Sequence, residues 1–492
     1  MALRELRPNP AADAATNVLR GFLSRWRTGP RGQVVVAAGL VFADVLLAFA
    51  VWQLAVAAQG VWGNGRLSPV ALVGFLPNVA VWIGLRTLMG LYPGYGLGQV
   101  EELRRQTFAL LTTVAITMTF AFASNVADHV SRMVLFGWVL GLLVLAPFVR
   151  GLAKWAIMRA GLWGKPVVIF GSGEAGSRVL EVLRREWQFG LNPIGVFDNR
   201  YLARGSGEPD GERVADLGSL AREHGSDTAI FAMPEERREH LARFVGLAGT
   251  SFRNTVVIPD LGGITNSAAM ARDLAGTFGV EIRHNLLNPW AQRLKRALDL
   301  TATLSAAVFV LPVILVLAAL VRLESPGPVF YRDLRMGRDG GLFPCIKFRT
   351  MVPDAEALLQ RVLEEDPAMR AEYLEFHKLR RDPRVTRVGG FLRKTSLDEL
   401  PQLLNVLKGE MSLVGPRPYL PRESEDIGET QGEILRVTPG ITGPWQVAGR
   451  SNTSFGERVR MDARYVHDWS VWLDVILLAR TIRCVLLDRS AC

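Results

Sequence analysis

The apolar segment that decides the fold runs from Leu300 to Val321 and reads LTATLSAAVFVLPVILVLAALV. A helix of about 20 apolar residues is long enough to cross the hydrocarbon core of a bilayer. Pro312 lies near the middle of the segment, where a proline removes one backbone hydrogen bond and bends a helix. Both ends are flanked by basic residues, which are Arg293, Lys295, Arg296 and Arg322. Basic flanking residues mark the cytoplasmic side of a membrane. We therefore predict a re-entrant helix over residues 295–322 that enters the membrane, breaks at Pro312 and returns, with a kinked crossing helix as the alternative.

Four further apolar stretches precede this segment and predict membrane-spanning helices. They are Gln33–Ala58, Val70–Leu91, Thr107–Ser124 and Met133–Val149. Two charged residues interrupt them: we expect Asp44 to face a neighbouring helix and Arg86 to extend towards the membrane interface. The basic residues of the flanks alternate six, one, three, one and four along the chain. The positive-inside rule therefore predicts a four-helix transmembrane bundle within residues 1–155 whose two ends are both cytoplasmic.

The residues between the bundle and the segment at 300–321 have an α/β pattern over 160–285. A short apolar strand, Pro166–Phe170, precedes the sequence GSGEAG at 171–176, and the next strand, Ile194–Phe197, is followed by an acidic residue. The glycines and the acid match the dinucleotide-binding fingerprint, and they are Gly171, Gly173, Gly176 and Asp198. One interpretation is a nucleotide with its phosphates at the helix N-terminus and Asp198 on a ribose hydroxyl. The other is a Rossmann-like scaffold in which the glycines only permit a tight turn.

Composition agrees with a membrane protein that carries soluble domains. The chain has 492 residues, of which 49% are hydrophobic and 21% charged, and its net charge is +10. Soluble proteins usually contain about 25% charged residues. The positive charge indicates an anionic membrane surface or phosphorylated substrates, and no nucleic-acid reader motif accompanies it. The three cysteines form no CxxC pair, so they predict neither a disulfide framework nor a zinc site.

Beyond Glu324, loops rich in glycine and proline alternate with arginine and lysine. The motifs are SPGPVFY (325–331), KFRTM (347–351), DPR (382–384), RKTSLDELPQLLNVLKGEMSLVGPRP (393–418) and PGITGPWQV (439–447). Guanidinium groups on rigid loops suit phosphate, because they form paired, charge-assisted hydrogen bonds to its oxygens. These loops therefore predict a site for phosphorylated substrates.

The adjacent acids Asp398 and Glu399 are the most informative residues of these motifs. Pro401 favours the first turn of a helix, and Ser396 to Glu399 has the pattern of a capping box, so both acids are predicted at a helix N-terminus. The nearby basic residues are Arg393, Lys394 and Arg417. Together with the helix dipole, they are expected to keep Asp398 ionised, with a pKa near the ordinary value of about 3.9. An ionised aspartate can attack phosphorus, and a neighbouring glutamate can help to hold a divalent cation. Simple capping of the helix by the two acids is the alternative.

The last apolar segment, Leu473–Leu487, contains Arg480 and Arg483. Two interpretations stay open for it. It can lie along the membrane interface as an amphipathic helix, or it can pack on the core of its own domain.

The motifs together carry a resemblance to a known family. The sequence from Lys295 to Trp472 resembles the catalytic domain of the bacterial polyprenyl-phosphate sugar-phosphate transferases, the monotopic phosphoglycosyl transferases. The rest resembles the large branch of that family, and LYPGYG (91–96) with EELRR (101–105) is similar to undecaprenyl-phosphate galactose phosphotransferases. The resemblance implies three parts: the transmembrane bundle, a Rossmann-like α/β middle domain, and an α+β monotopic catalytic domain over 290–492.

The resemblance also implies a reaction. Asp398 matches the family's nucleophile, which would attack the sugar-bearing phosphate of a UDP-hexose and release UMP, and undecaprenyl phosphate would then displace the aspartate. Glu399 would support Mg²⁺, held with Asp398, and the geometry of the nucleophile. Arg417 would contact a nucleotide or lipid phosphate, with four supporting candidates: Lys347, Arg349, Arg384 and Arg393.

Further expectations concern the substrate, the location and the alternatives. The resemblance favours galactose over glucose as the sugar and the first membrane step of O-antigen, capsule or exopolysaccharide synthesis at the bacterial inner membrane. The positive-inside rule predicts a cytoplasmic catalytic domain. The apparent lack of catalytic residues in the spans and the middle domain leads us to expect a homodimer formed through them. Two other functional classes stay open. The glycine fingerprint would also suit a non-catalytic nucleotide sensor of polysaccharide assembly or an NAD-dependent dehydrogenase or epimerase.

Overall fold

The computed structural model describes residues 30–62, 75–125, 131–171, 173–197, 203–204, 208–209, 226–233, 244–246, 248–249, 252–258, 270–274, 277–281, 286, 288–376, 379, 382–448 and 453–487. The chain forms two compact units, Met1–Gly263 and Ile264–Cys492. The middle domain predicted over 160–285 extends past this boundary, because residues 264–285 belong to the second unit.

The first unit begins with the four predicted apolar helices. They are α1 (Pro30–Trp62), α2 (Phe75–Leu88), α3 (Gln99–Ala123) and α4 (Arg132–Arg159). The helices α1, α3 and α4 are long and apolar enough to span a membrane, whereas α2 has 14 residues. Helix α3 begins eight residues before the predicted span, and α4 continues ten residues beyond it.

The core of this bundle is apolar and aromatic. Trp138 makes edge contacts with Trp52 and Trp82, at ring-centre distances of 6.2 and 6.4 Å. The indole nitrogen of Trp138 donates a hydrogen bond to the carbonyl of Ala48 at 3.2 Å. These large side chains join α1, α2 and α4, so the apolar sequence builds a packed bundle.

Buried charges lie beside this aromatic core. Asp44 forms an ion pair with Arg86, in which a carboxylate oxygen lies 3.2 Å from a guanidinium nitrogen, and neither side chain is more than 2% exposed. The prediction that Arg86 extends to the interface is therefore wrong, because Asp44 provides a counter-charge inside the bundle. Glu102 on α3 pairs with Arg150 and Lys154 on α4, which also explains why α4 continues past its apolar segment.

A four-stranded parallel sheet follows the bundle in the first unit. Its strands are β1 (Lys165–Gly171), β2 (Leu191–Phe197), β5 (Thr228–Ala232) and β6 (Asn254–Val257), in the order β2-β1-β5-β6. Helix α5 (Gly173–Arg185) connects β1 to β2, which confirms the predicted parallel strand–helix–strand unit. The short strands β3 (Ala203–Arg204) and β4 (Glu208–Pro209) form a separate pair.

The second unit begins with the hairpin of β7 (Met270–Leu274) and β8 (Thr277–Glu281) and then the 36-residue helix α6 (Pro289–Glu324). The side chain of Asn288 caps α6 by accepting a hydrogen bond from the Trp290 amide at 3.0 Å. The helix continues through Pro312, so the predicted break at this residue is wrong, because a proline can bend a helix without ending it. The helix has the length and composition of a membrane span. The re-entrant path over residues 295–322 stays a prediction.

The beginning of α6 packs against the rest of its unit through polar contacts. The ammonium of Lys295 lies 2.7 Å from a carboxylate oxygen of Asp474, and both residues are buried. One turn later, Asp299 accepts a hydrogen bond from the Ser412 hydroxyl at 2.7 Å. These contacts fix the first turns of α6 to distant parts of the chain.

The end of α6 packs against the same unit through apolar contacts. Leu317 and Val321 are buried in one cluster with Phe348 and Leu392. No residue is buried between Thr303 and Leu317. Helix α6 is therefore held near both ends and exposes an apolar surface between them.

The remaining elements of the second unit surround a pocket. The antiparallel hairpin of β9 (Phe330–Met336) and β10 (Leu342–Phe348) is followed by α7 (Ala355–Glu365), α8 (Pro367–Phe376) and α9 (Arg387–Thr395). A 3₁₀ helix, Leu397–Gln402, leads into α10 (Leu403–Lys408) and the parallel pair β11 (Ser412–Val414) and β12 (Gly440–Thr442). Two single-turn helices lie between β11 and β12: α11 (Ser424–Ile427) and α12 (Gln431–Ile434). The last helices are α13 (Pro444–Ala448), α14 (Phe455–Asp468) and α15 (Val471–Leu487).

Candidate active site

A pocket of about 450 Å³ lies in the second unit and is lined by side chains from three of the five glycine- and proline-rich motifs, 347–351, 393–418 and 439–447. Its charged lining consists of two acids, Asp398 and Glu399, and four basic residues: Arg335, Lys347, Arg393 and Arg417. Cations therefore outnumber acids in the described lining, and the pocket is electrostatically suited to an anionic substrate.

A sharp turn places the two acids in this pocket. Ser396 adopts a left-handed conformation with φ of 55°, which ends α9 and starts the 3₁₀ helix that carries Asp398 and Glu399 in its first turn. A left-handed conformation is uncommon outside glycine, and such residues occur often at functional sites. The predicted capping box is wrong, because the Ser396 side chain makes no cap and the residue itself forms the turn.

Glu399 is held by an ion pair across the pocket lining. The ammonium of Lys347 on β10 donates to Glu399 Oε1 at 2.8 Å. Burial opposes the charge on Lys347, but the attraction and the hydrogen bond of Glu399 outweigh that effect and raise the pKa of Lys347. Asn405 fixes the position of β10, because its side chain accepts from the Ile346 amide at 3.0 Å and donates to the Pro344 carbonyl at 2.8 Å.

The carboxyl group of Asp398 has a shifted pKa. Burial and the negative charge of Glu399 raise the pKa of Asp398 to about 6, although Lys347 and Arg393 favour its ionised form. The expectation of a pKa near 3.9 is therefore wrong, because loss of hydration outweighs the basic neighbours. The value still lies below neutrality, so the carboxylate form dominates at pH 7.

Arg417 and Arg393 reach the pocket from different elements. Arg417 follows β11 in the GPRP turn, and its guanidinium lies 5.2 Å from the ring centre of Trp445. Burial lowers the pKa of Arg417, although it stays a strong base. The Arg393 guanidinium donates to the Thr350 hydroxyl at 2.9 Å. Both arginines border the same pocket as Asp398.

Two other predicted phosphate ligands lie outside the described lining of the pocket and have internal partners. Arg349 is buried and donates to the carbonyls of Ser325 and Pro326 at 2.6 and 3.1 Å. Arg384 forms a two-pronged ion pair with Asp382, at 2.8 and 2.7 Å. The structure therefore gives these two arginines roles in holding loops.

Sequence reasoning missed a buried carboxyl group behind the GPRP turn. One oxygen of Asp462 accepts hydrogen bonds from the Arg417 amide at 3.0 Å and the Tyr419 hydroxyl at 2.8 Å, and neither Asp462 nor Tyr419 is exposed. Burial raises the pKa of Asp462 to about 7, against the opposing effect of these hydrogen bonds. The missed signal was the apolar spacing of α14, which places Asp462 between the buried Val459 and Val466.

The cysteine in the lining is no competing nucleophile. Cys345 is buried, and burial raises the pKa of its thiol to about 11. A thiol with that pKa remains protonated at neutral pH and is a poor nucleophile. Asp398 is consequently the lining residue best suited to attack phosphorus.

The glycine fingerprint in the first unit has a packing explanation. A Cβ atom on Gly171 would lie 2.7 Å from the Ala232 carbonyl, and one on Gly176 would lie 3.1 Å from the Gly171 carbonyl. Both glycines are therefore required for the close approach of α5 to the sheet. Gly173 begins α5, and Asp198 lies outside the described residues.

The fold and the pocket together define a class of protein: a membrane-associated protein with a pocket suited to an anionic substrate. Residues 290–488, which include the whole pocket lining, match the bacterial sugar transferase family. Residues 88–259 match a family described as a CoA-binding domain.

Characterised relatives cover most of the chain. It is 38% identical to the UDP-galactose-lipid carrier transferase of Erwinia amylovora over 71% of this chain and 74% of that protein. It is 36% identical, with the same coverage, to the undecaprenyl-phosphate galactose phosphotransferase of Salmonella typhimurium. It is 31% identical to the UDP-glucose:undecaprenyl-phosphate glucose-1-phosphate transferase of Klebsiella pneumoniae, over 76% of this chain and 80% of that protein. The chain belongs to the bacterial sugar transferase family and is an enzyme.

Proposed function

We propose that this enzyme transfers a hexose 1-phosphate from a UDP-hexose to undecaprenyl phosphate, which gives undecaprenyl-diphospho-hexose and UMP. The observation that carries the proposal is the placement of Asp398, a carboxylate in a pocket with an excess of basic side chains. The names of the relatives support the two substrates. One relative is named as a UDP-galactose-lipid carrier transferase, and two have names that specify undecaprenyl phosphate.

In the first step, a carboxylate oxygen of Asp398 attacks the sugar-bearing phosphorus of the donor. The new bond joins that oxygen to phosphorus, and the bond from phosphorus to the bridging oxygen of the diphosphate breaks. The electron pair leaves with UMP, so no proton transfer is needed. An acyl phosphate carrying the hexose remains on Asp398.

In the second step, a phosphate oxygen of undecaprenyl phosphate attacks the same phosphorus. The bond to Asp398 breaks, and its electron pair restores the carboxylate. One phosphoanhydride bond is lost in the donor and one is formed in the product, so the sequence needs no oxidant, reductant or other reactant.

The basic residues stabilise the charge that these steps concentrate on phosphate oxygens. Arg417 and Arg393 border the pocket and present guanidinium groups, which bind phosphate through paired hydrogen bonds. Lys347 holds Glu399 in place and adds a positive charge near Asp398. Such preorganised charges act most strongly where water is partly excluded.

Magnesium belongs to the same proposal. Asp398 and Glu399 provide two carboxylates in one pocket, which fits a cation that usually takes one or two protein carboxylates together with substrate phosphates. The described residues contain no cluster of three or more metal-ligating side chains, so most ligands would come from the substrate and water. When bound, Mg²⁺ would neutralise diphosphate charge.

The path of α6 bears on the location of the site. The residues of α6 between Thr303 and Leu317 are not buried by the protein, so this apolar stretch is available to lipid. Both ends of α6 also pack on the unit that contains the pocket. These features support a re-entrant helix and a catalytic unit on the cytoplasmic face of the bacterial inner membrane.

Galactose is the sugar we propose, with glucose as the alternative. The two relatives that are 36% and 38% identical have names that specify galactose, and the one at 31% specifies glucose. The product would start O-antigen, capsule or exopolysaccharide synthesis. We also propose a homodimer formed through the first unit, and a monomeric mass in native lipid would contradict it.

The direct test uses the purified full chain in nanodiscs with undecaprenyl phosphate, Mg²⁺ and a panel of UDP-sugars. We expect UMP release that depends on the lipid and is fastest with UDP-galactose. Asp398→Asn should lose transfer by at least about a thousandfold, the scale expected on removing a nucleophile. The control variant is Asp426→Asn, which alters an exposed acid outside the described pocket lining. Undiminished turnover in Asp398→Asn would contradict the proposal.

A further inference from the structure

The pocket has an apolar part that the sugar-phosphate chemistry does not use. Its members are Leu403, Leu413, Ile441, Leu478 and Val485, and we call them the apolar wall. They come from α10, β11, β12 and α15, whereas the acids and most of the basic residues come from the 3₁₀ helix, α9, β9 and β10. One pocket therefore combines an anionic-substrate surface with a hydrocarbon-like surface.

Two threonines of the pocket lining, Thr442 and Thr481, lie close to wall residues in the sequence and have internal hydrogen-bond partners. Thr481 donates its hydroxyl proton to the Leu477 carbonyl at 2.8 Å. Its contact with the Thr442 hydroxyl, at 2.7 Å, must then use the proton of Thr442. Neither threonine retains a hydroxyl proton for a ligand, so this part of the lining suits hydrocarbon better than a sugar.

The apolar wall continues onto an exposed apolar surface. Val485 lines the pocket and is also 42% exposed. On the same helix, Val475 and Ile482 are 46% and 60% exposed. Leu404 on α10, next to the pocket residue Leu403, is 45% exposed. Hydrocarbon could thus pass from the pocket to a surface able to contact lipid.

We propose that the apolar wall binds the first isoprene units of the polyprenyl phosphate acceptor, next to its phosphate. This inference rests on the proposed function. Of the two substrates, only the acceptor carries a hydrocarbon chain, and packing the hydroxyl groups of a hexose against leucine and isoleucine would cost their hydration. The lipid phosphate would lie among the basic side chains while the chain leaves along α15.

The test separates the two half-reactions. Isotope exchange between labelled UMP and UDP-galactose requires only the donor step, whereas product formation also requires the acceptor. In the full chain in nanodiscs, we compare Leu478→Gln and Val485→Gln with the control Leu342→Gln, an exposed leucine at the start of β10 that lies outside the described lining. We expect the first two to raise the KM for undecaprenyl phosphate about tenfold relative to the control and to retain UMP exchange.

Acceptor length provides a second measurement. Wild-type enzyme should prefer geranyl phosphate, which carries two isoprene units, to methyl phosphate, which carries none, and Leu478→Gln should reduce that preference. An unchanged acceptor KM in both wall variants would overturn the inference. A higher donor KM or a loss of exchange in Val485→Gln would assign the wall to the donor and also overturn it. Absence of exchange in the wild-type chain would instead contradict the proposed function, so the two failures are distinguishable.

Discussion

Asp398 lies where two physical effects oppose each other. Burial and Glu399 raise its pKa, while Lys347 and Arg393 stabilise its charge, and the resulting value is about 6. A partly desolvated carboxylate is less masked by water than an exposed one and remains ionised at neutral pH. The site therefore keeps the proposed nucleophile charged and poorly hydrated at neutral pH.

The first prediction concerns the pH dependence of the donor half-reaction. Because Asp398 must be deprotonated to attack, the exchange rate should be constant above its folded-state pKa and fall as pH decreases through about 6. Well below that pH, the fall should approach about tenfold per pH unit. A pH profile of UMP exchange measures this directly.

Asp462 complicates that profile, because its pKa is raised to about 7. The control is therefore the same profile in Asp462→Asn, in which the decline near pH 6 should persist. A rate that stays level down to pH 4.5 (about one and a half units below the expected pKa) would show that Asp398 is not the titrating nucleophile.

The second prediction concerns Asp462 as a positioning residue for Arg417. Asp462→Ala would leave the Arg417 amide and the Tyr419 hydroxyl without their buried acceptor, at about 1–3 kcal/mol for each group. We expect the KM for the donor to rise about tenfold with a smaller change in kcat. Asp462→Asn keeps an acceptor oxygen and should restore most of the affinity. Equal loss in both variants would contradict a positioning role.

Individual residues show where sequence reasoning succeeds and where it stops. The pattern around Asp398 predicted an acid near the start of a helical segment, which the 3₁₀ helix confirms. The local sequence could not separate Arg393, which borders the pocket, from Arg349, which holds a loop, because the difference depends on tertiary contacts. Asp462 was missed for the same reason, since it meets Arg417 across 45 residues of chain.

At the level of elements, α6 combines two properties that ordinary helices rarely share. It has the hydropathy of a membrane span, yet Lys295 and Asp299 near its start and Val321 near its end pack in one unit. Exposed apolar residues lie between these contacts and also at both helix ends, where Trp290 and Leu323 are 74% and 83% exposed. The side of the membrane on which each end lies therefore decides between a re-entrant and a crossing path.

The third prediction tests this topology. Single cysteines at Trp290 and Leu323, which are 74% and 83% exposed, would be introduced after replacement of the three native cysteines. If α6 is re-entrant, a membrane-impermeant maleimide should label both positions in inverted vesicles and neither in spheroplasts. The control is a cysteine at Glu365, the last residue of α7, which reports the side of the membrane on which the second unit lies. Labelling of the two helix ends from opposite sides would establish a crossing helix.

The sequence predicted the types of most elements and fewer of their boundaries. Hydropathy identified all four N-terminal helices, but α4 continues to Arg159 because Arg150 and Lys154 pair with Glu102 inside the bundle. Local patterns favoured a capping box at Ser396, whereas the left-handed conformation of that residue turns the chain instead. Ion pairs and turns of this kind depend on partners that lie far along the chain.

At the scale of the whole molecule, the catalytic pocket lies in one of two compact units. The match to the bacterial sugar transferase family, residues 290–488, lies wholly within the second unit. The first unit is therefore expected to serve a purpose other than the chemistry.

The fourth prediction follows from this division of the chain. A protein comprising residues 264–492 should fold, associate with membranes and catalyse UMP exchange within about tenfold of the full chain, because the pocket lining lies within one compact unit. The comparison would be made at equal protein in nanodiscs, with Asp398→Asn in the short form as the inactive control. A folded but inactive short form would show that the first unit contributes to catalysis.

The central claim is that Asp398 bonds covalently to the sugar-bearing phosphorus, and a trapped intermediate tests it most directly. The full chain is incubated with UDP-galactose labelled at the β-phosphate, without lipid acceptor, then quenched, digested and analysed by mass spectrometry. We predict a hexose phosphate adduct on the peptide containing Asp398 that disappears when undecaprenyl phosphate is added. An adduct on a different residue, or no adduct in a preparation that turns over rapidly once undecaprenyl phosphate is supplied, would contradict a covalent role for Asp398.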